Sequence, residues 1–201
     1  MSLHSNHNLL LILCAGSAFA QTTLGQTTAW HIDPLHSSAQ FSVRHMMIST
    51  VRGHFGGVKG NVTLDAKNPA ADTVDATIDC ATINTGEPKR DSDLKGPEFF
   101  DVKKYPVMKF KSKRVELAGP DKLKVTGDLT INAITRTVVL EIEGPTPPVK
   151  DTQDRIKVGV QATTKVSRKD FGILYNPVME TGGVAVSDEV AIELDIELIQ
   201  N

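Results

Sequence analysis

The feature that most constrains this chain is a strict alternation of apolar and polar residues in its last segment. Five apolar residues occupy every second position from Val190 to Leu198, and acidic residues such as Glu193 and Glu197 lie between them. A period of two is typical of a strand with one face against a core and the other in water. The same pattern recurs in residues 74–79 and 137–143, and no segment keeps a helical period or a βαβ spacing. The sequence therefore predicts an antiparallel all-β fold.

Eight candidate strands are separated by turn signals rich in glycine, proline and asparagine. They cover residues 30–46, with a break at Asp33-Pro34, and residues 54–66, 73–83, 107–117, 122–131, 135–143, 155–166 and 188–199. Strands of this length reach about 34 Å, at roughly 3.4 Å per residue, which is long for a sandwich. Eight long one-sided strands fit a closed antiparallel barrel, which is either packed with its own side chains or holds one small ligand. A β-sandwich is the alternative.

The alternation stops between the third and fourth candidate strands, in residues 89–112. Pro97 and Pro106 bound an irregular run that contains the aromatic pair Phe99 and Phe100. Proline fits the first position of a helical turn, and the residue before a proline is pushed out of the helical region. We interpret this run as an amphipathic plug or lid inserted into the β-protein.

Residues 1–20 are predicted to be a secretory signal peptide. Residues 9–15 form an apolar run too short to span a bilayer, and Ala18-Phe19-Ala20 is a small-x-small cleavage pattern. Lipidation at Cys14 is disfavoured, because Leu13 stands where a small residue is expected. Cleavage before Gln21 leaves residues 21–201 as one domain, which we expect to be periplasmic or secreted and not integral to a membrane.

The charges and the reactive side chains favour no catalytic or nucleic-acid-binding function. The formal net charge of −2 is spread evenly, so it attracts neither nucleic acid nor an anionic membrane. After cleavage Cys80 is the remaining cysteine, which excludes an intramolecular disulfide and favours a small buried apolar residue. No nucleophile elbow or phosphate-binding loop is present. Enzyme chemistry is therefore unsupported.

Histidines cluster early in the mature chain, and clustering invites a metal interpretation. The alternation along the strands places these histidines on two different faces and in a loop, and they lack the short spacing typical of metal ligands. They are His31, His36, His45 and His54. We therefore predict no metal site. His45 is in phase with Phe41 and is predicted to face inward, as a hydrogen-bonded polar group near one end of the barrel.

Strings of residues along the whole mature chain resemble the YceI-like family of polyisoprenoid-binding proteins. The resemblance rests on their order and spacing: Trp30-His31-Ile32-Asp33-Pro34, His36-Ser37, Phe41-Ser42-Val43-Arg44-His45, Gly53-His54-Phe55, Arg90-Asp91, Leu94-Lys95, Glu98-Phe99-Phe100-Asp101-Val102, Tyr105-Pro106, Phe110, Gly127-Asp128-Leu129-Thr130-Ile131, Thr135, Val138 and Arg168-Lys169-Asp170-Phe171-Gly172. The chain departs from the family at Asp93, where a histidine usually precedes the leucine.

The resemblance implies a lipocalin-like eight-stranded barrel that encloses an elongated apolar pore. It also implies non-catalytic binding, transport or storage of a long-chain isoprenoid lipid, such as a polyprenol or an isoprenoid quinone, or of a similar amphiphile with one long tail. No cofactor is required. The alternatives are an enzyme that acts on such a lipid and a structural or interaction module with a filled core. A homodimer is left open.

The residues predicted to line the pore are inward-facing ones near the middle of the strands and under the insertion. They are Phe41, Val43, Phe55, Val74, Ile78, Phe99, Phe100, Met108, Phe110, Leu129, Leu140, Val158, Val160, Phe171, Ile192 and Leu194. Residues 90–102 are predicted to form one or two short helical turns over one barrel end, with Phe99 or Phe100 pointing into the pore. Strand periodicity does not distinguish a residue that lines a cavity from one that fills a core.

Overall fold

The structure of the protein, a computed structural model, describes residues 27–177 and 184–201. The signal peptide predicted for residues 1–20 lies outside them. The strands found within the described residues form one sheet. In chain order they are β1 (Thr28–Ile32), β2 (Ser38–His45), β3 (Ser49–Phe55), β4 (Lys59–Leu64), β5 (Thr73–Asp79), β6 (Val107–Gly119), β7 (Lys122–Ile131), β8 (Ile134–Glu143), β9 (Val149–Lys150), β10 (Ile156–Ser167) and β11 (Val186–Gln200).

Eight of the described strands close into an antiparallel barrel, as predicted. The ring runs β11, β1, β4, β5, β6, β7, β8 and β10, and it closes where β10 pairs with β11. That pairing extends from Lys157 opposite Ile199 to Ser167 opposite Glu189. The pairing of β8 with β10 is short, from Thr163 opposite Glu141 to Gln161 opposite Glu143. Because the ring closes, the sandwich alternative is wrong.

The first predicted strand is split into β1 and β2 by the bend at Asp33-Pro34, as the proline indicated. β1 pairs with the end of β11, with Ile32 opposite Leu198, and β2 pairs with its earlier part, with Val43 opposite Val190. The second predicted strand, residues 54–66, is correct for β4 but misses most of β3, which begins at Ser49. β3 pairs back on β2 as a hairpin.

The third predicted strand, residues 73–83, is too long. β5 stops at Asp79, because the Asp79 carboxylate accepts a hydrogen bond from the Ala81 N–H at 2.8 Å and starts a 3₁₀ turn, Cys80–Thr82. Cys80 is therefore in a turn rather than a strand, and it is buried as expected.

The insertion contains a short helix, α1 (Pro88–Leu94). Pro88 occupies its first turn, and the Glu87 carboxylate accepts hydrogen bonds from the N–H groups of Lys89 and Arg90. The helix thus begins two residues before the predicted turn. No helix among the described residues is long and apolar enough to cross a bilayer.

The two ends of the barrel differ in what they carry. The insertion end holds the β2–β3, β5–β6, β7–β8 and β10–β11 connections. The terminal end holds the start of β1, the end of β11, and the β4–β5 and β6–β7 connections. Trp30 is buried near the terminal end, and its indole N–H donates to Thr28 Oγ1 at 2.7 Å.

Candidate functional site: an apolar cavity in the barrel

The interior of the barrel holds a cavity of about 290 Å³ with an almost wholly apolar lining. The lining extends from Leu64 and Ile142, near the terminal end, to Phe171 and Ile173 at the insertion end. The cavity therefore extends along the barrel axis. Its volume lies at the lower limit of the roughly 300–1,000 Å³ common for small-molecule pockets.

Every predicted pore-lining residue except Val158 lines this cavity. Those that do are Phe41, Val43, Phe55, Val74, Ile78, Phe99, Phe100, Met108, Phe110, Leu129, Leu140, Val160, Phe171, Ile192 and Leu194. Val158 is in phase with Val160 and is buried in the same apolar cluster as Trp30, but it does not line the cavity. Contact of these residues with a ligand stays a prediction.

His45 lies at the last position of β2 and is half-buried. It is not among the cavity-lining residues, whereas Val43, two positions earlier, is. His45 thus lies beyond the lined part of β2, next to the β2–β3 turn. Its predicted polar role at the pore mouth stays a prediction.

Both aromatic residues of the insertion line the cavity, where the sequence predicted one or the other. The Phe100 ring packs edge-on against Phe55, with centroids 5.3 Å apart, and Phe55 packs against Phe41 at 5.6 Å. The Phe99 ring lies 4.9 Å from that of Tyr175. An aromatic row thus joins the insertion to the wall formed by β2 and β3.

The insertion is hydrogen-bonded into the wall. The backbone of Asn84 exchanges two hydrogen bonds with that of His54 on β3, each 2.9 Å long. The side-chain amide of Asn132, in the β7–β8 turn, donates to the Phe99 carbonyl at 2.7 Å. Asp93, the departure from the family pattern, lies on α1 away from the cavity lining and pairs with Lys89 at 3.3 Å on the surface.

Two glycines let phenylalanine rings lie close to the barrel wall. Gly53 pairs with Phe41 across β2 and β3, and a Cβ at Gly53 would be 2.5 Å from Phe41 Cζ. A Cβ at Gly127 on β7 would be 2.5 Å from Phe110 Cζ. Glycine within a strand often marks such a close approach, so this signal was available in the sequence and was missed.

Sequence reasoning also missed the role of Arg168, which is buried at the insertion end. Its guanidinium donates to the carbonyls of Ile173 at 2.7 Å, Tyr175 at 2.8 Å and Ser187 at 3.0 Å. It therefore holds the segment after β10 against the start of β11. Spacing along the chain does not reveal these contacts, because all three partners are backbone groups.

Asp72 is the one carboxylate among the described residues that line the cavity. It follows the β4–β5 connection at the terminal end, and its Oδ1 accepts a hydrogen bond from the Asp65 N–H at 2.7 Å. Burial raises the pKa of Asp72 to about 6, an effect to which the negative charge of Asp65 adds. This part of the wall therefore becomes less charged on mild acidification.

A cluster of ionisable side chains lies outside the cavity, where the bend after β1 meets β10 and β11. His36 Nδ1 lies 2.9 Å from Asp33 Oδ2, and Glu197 is close to both, which resembles a metal-ligand set. Lys157 Nζ lies 2.6 Å from Glu197 Oε1 and 3.6 Å from Asp33 Oδ2, so an ammonium group supplies the positive charge there. Burial alone would raise the pKa of Asp33, but hydrogen bonds from His36 and the Leu35 N–H lower it to about 2. The cluster is an ion-pair network that fastens the bend.

Comparison with known proteins identifies relatives of this chain. Residues 30–198 match the family model described as YceI-like domain. The chain is 34% identical over 169 residues to Protein YceI of Escherichia coli O157:H7, covering 82% of each chain.

Solved structures share the fold. BcnA of Burkholderia cenocepacia matches with a TM-score of 0.70 and 24% identity, over 83% of this chain and 98% of that one. A polyisoprenoid binding domain from Saccharophagus degradans, implicated in plant cell wall breakdown, matches with a TM-score of 0.60 and 15% identity, over 87% of this chain and 99% of that one.

Proposed function

This chain belongs to the YceI-like family, and from that premise we propose that it binds one long-tailed isoprenoid lipid inside its barrel. The observation that carries the proposal is the apolar cavity, which extends along the axis of the closed barrel. An axial cavity with such a lining suits a linear apolar chain better than a compact polar molecule. The name of the Saccharophagus degradans domain supports an isoprenoid as the class of tail.

Burial of the tail supplies the driving force for binding. Each buried methylene contributes roughly 0.8 kcal/mol, so a long tail needs no specific polar contact. Ordering a flexible tail offsets part of this gain, so affinity does not simply follow tail length. A polyprenol, an isoprenoid quinone or a similar amphiphile fits this description.

The bound lipid is carried or stored rather than converted. Polar side chains of the lining include Asp72 and Arg168, which lie at opposite ends of the barrel. The Arg168 guanidinium is engaged by backbone carbonyls and is not available to donate a proton or stabilise a reaction intermediate. We place this carrier in the periplasm or outside the cell, after removal of residues 1–20.

Native mass spectrometry of protein recovered from its host's cell envelope tests the proposal. We expect an adduct that, after extraction, has the mass of a lipid with a repeating isoprene unit. Protein that is ligand-free and takes up neither polyprenols nor isoprenoid quinones would contradict the proposal.

Two alanines on the strands provide a matched pair of variants. Ala76 lines the cavity, whereas Ala191 lies on β11 outside the cavity lining, next to Ser42 and Lys165 across the sheet. Ala76→Phe should fill part of the cavity and lower the lipid-bound fraction. Ala191→Phe adds the same bulk elsewhere and should leave that fraction unchanged.

A further inference from the structure

The β2–β3 turn at the insertion end exposes three consecutive apolar residues. Met46, Met47 and Ile48 are 41%, 57% and 78% exposed. The two methionines have φ values of 50° and 60°, and the Ile48 N–H donates to the His45 carbonyl at 3.1 Å. Positive φ at both central positions is typical of a type I′ turn, which favours asparagine and glycine. Methionine at these positions costs backbone energy, and within this chain the exposed side chains recover little of it by burial.

Further apolar side chains are exposed beside this turn. The Met46 N–H donates to the Ala185 carbonyl at 2.8 Å, which holds the turn next to Val184. The Asn176 side chain binds the backbone of Ala185 and so holds Tyr175 nearby. We call the exposed set the apolar rim; it comprises Met46, Met47, Ile48, Leu174, Tyr175 and Val184.

The apolar rim is continuous with the cavity. The Tyr175 ring contacts that of Phe99, which lines the cavity. Val43 and Val186 also line it, and each lies within three residues of a rim residue along the chain. The exposed apolar surface therefore borders the insertion end of the proposed lipid-binding cavity.

We propose that the apolar rim inserts into the surface of a lipid bilayer and sets the insertion end of the cavity against the membrane. Residues 46–48 are the tip of the β2–β3 hairpin, because His45 and Ser49 form its last pair. Three side chains offer little surface for a stable dimer, which buries about 800 Å² on each partner. A projecting tip of three apolar side chains is better suited to the boundary between headgroups and acyl chains. The evenly spread charge and net charge of −2 imply that apolar burial rather than overall electrostatic attraction provides the binding energy.

The charges around the rim are compatible with a headgroup layer. Arg44 lies directly behind the tip, where its guanidinium donates to the Met47 carbonyl at 2.7 Å and to Thr50 Oγ1 at 2.8 Å. This position would bring the cation to the level of lipid phosphates when the tip is inserted. The Asp188 carboxylate at the same end pairs with Lys169 at 2.8 Å, which reduces its repulsion of anionic lipid.

A role for this contact in lipid exchange rests on the proposed function. A long isoprenoid lipid dissolves in membranes rather than in water, so a cavity that opens against a bilayer avoids exposing the tail. The membrane contact itself needs no ligand and is tested with ligand-free vesicles.

Flotation with vesicles of phosphatidylethanolamine and phosphatidylglycerol tests the contact. The tip variant is Met47→Glu/Ile48→Glu. The control is Leu35→Glu/Leu117→Glu, which places the same two charges away from the rim, in the bend after β1 and at the terminal end of β6. These residues are 87% and 71% exposed. All proteins are recovered from the cell envelope and checked by mass to begin at the same residue. Wild type and control should float, and the tip variant should lose at least about tenfold in vesicle-bound fraction.

A second variant separates loss of contact from loss of folding. Met46→Asn/Met47→Gly suits the positive φ values, so it should raise the Tm and still weaken flotation. The proposal is overturned if wild type does not float or if either tip variant floats equally well. It is also overturned if the tip substitutions dissociate a dimer seen by analytical ultracentrifugation, because the rim is then a contact between copies.

Loading from detergent distinguishes failure of this proposal from failure of the proposed function. The tip variant should fill with polyprenol from detergent micelles as wild type does, but more slowly from vesicles. A wild-type protein that fills from micelles without floating refutes the rim proposal alone. One that floats but never fills refutes lipid binding and leaves the rim proposal intact.

Discussion

Replacing Gly53 with alanine tests whether the Phe41 ring limits the width of the cavity. A Cβ at this position would lie 2.5 Å from Cζ of Phe41, 2.7 Å from its Cε1 and 2.8 Å from Cγ2 of Thr85. Carbon atoms in ordinary contact are about 3.5–4.0 Å apart, so the ring must move by about 1 Å or more. The open space available to it is the cavity, which Phe41 already lines. We therefore expect the ring to narrow the cavity.

The expected magnitudes for stability and binding differ. Overpacking a core lowers the free energy of unfolding by about 1–3 kcal/mol. The loss for Gly53→Ala should be near the lower value, because the Phe41 ring can move into the cavity. A displaced ring that removes one or two methylenes from contact weakens tail binding by roughly 0.8 kcal/mol for each. That loss corresponds to a roughly four- to fifteen-fold weaker affinity.

A competition experiment measures this effect directly. Equal amounts of wild type and Gly53→Ala compete for limiting polyprenol, and native mass spectrometry gives the lipid-bound fraction of each. Gly53→Ala/Phe41→Leu should recover part of the lost binding, because leucine needs less space beside the new methyl group. If Gly53→Ala loses stability as expected but binds as much lipid as wild type, the argument that the Phe41 ring limits the width of the cavity is refuted.

Other residues give further predictions. Phe99→Ala/Phe100→Ala should lower lipid occupancy by more than it lowers stability to urea, because both rings line the cavity; equal losses would make them core residues. Arg168→Met should lower the free energy of unfolding by about 3–5 kcal/mol, because several carbonyls lose a buried donor; a loss below about 1 kcal/mol in urea titrations would contradict this role. The pKa of Asp72 is raised to about 6 from 3.8, so the folded state holds more protons than the unfolded state between these values, and stability falls as the pH rises through this window. At about pH 7, Asp72→Asn should therefore unfold at a higher urea concentration than wild type. Near pH 4 the two proteins should unfold at similar urea concentrations. This assignment is refuted if the stability of wild type, but not that of Asp72→Asn, increases between pH 4 and pH 6.

Much of the fold could be predicted from the sequence, since burial of one strand face requires a period of two. The observed ends of β6, β7, β8, β10 and β11 differ from the predicted ones by two residues or fewer. β3 was largely missed, because residues 49–53 contain one large apolar residue, Val51, and end in glycine. Its position depends on pairing with β2, which is a property of the hairpin rather than of the segment.

The candidate site was predictable to a similar degree. The direction in which a strand residue points follows from its phase, and all but one of the residues predicted on this basis line the cavity. The lining also contains residues that the prediction left out, such as Ile32, Val62 and Ala76. The phase is also correct for Val158, which is buried, but phase does not show whether a buried residue borders the cavity, and Val158 does not. The structural role of Arg168 was not predictable, because most of its partners are backbone carbonyls, which no sequence pattern marks.

The sequence by itself determined the class of fold, the side of the wall that each strand residue faces, and the family. Only the tertiary structure decided where the barrel is hollow. Periodicity indicates which face of the wall a residue occupies. A cavity depends instead on the distance left between opposite walls once Phe41 and Phe110 pack close to glycines. The apolar rim likewise exists only after folding, because hydrogen bonds bring the β2–β3 turn next to residues that are more than a hundred positions away in the chain.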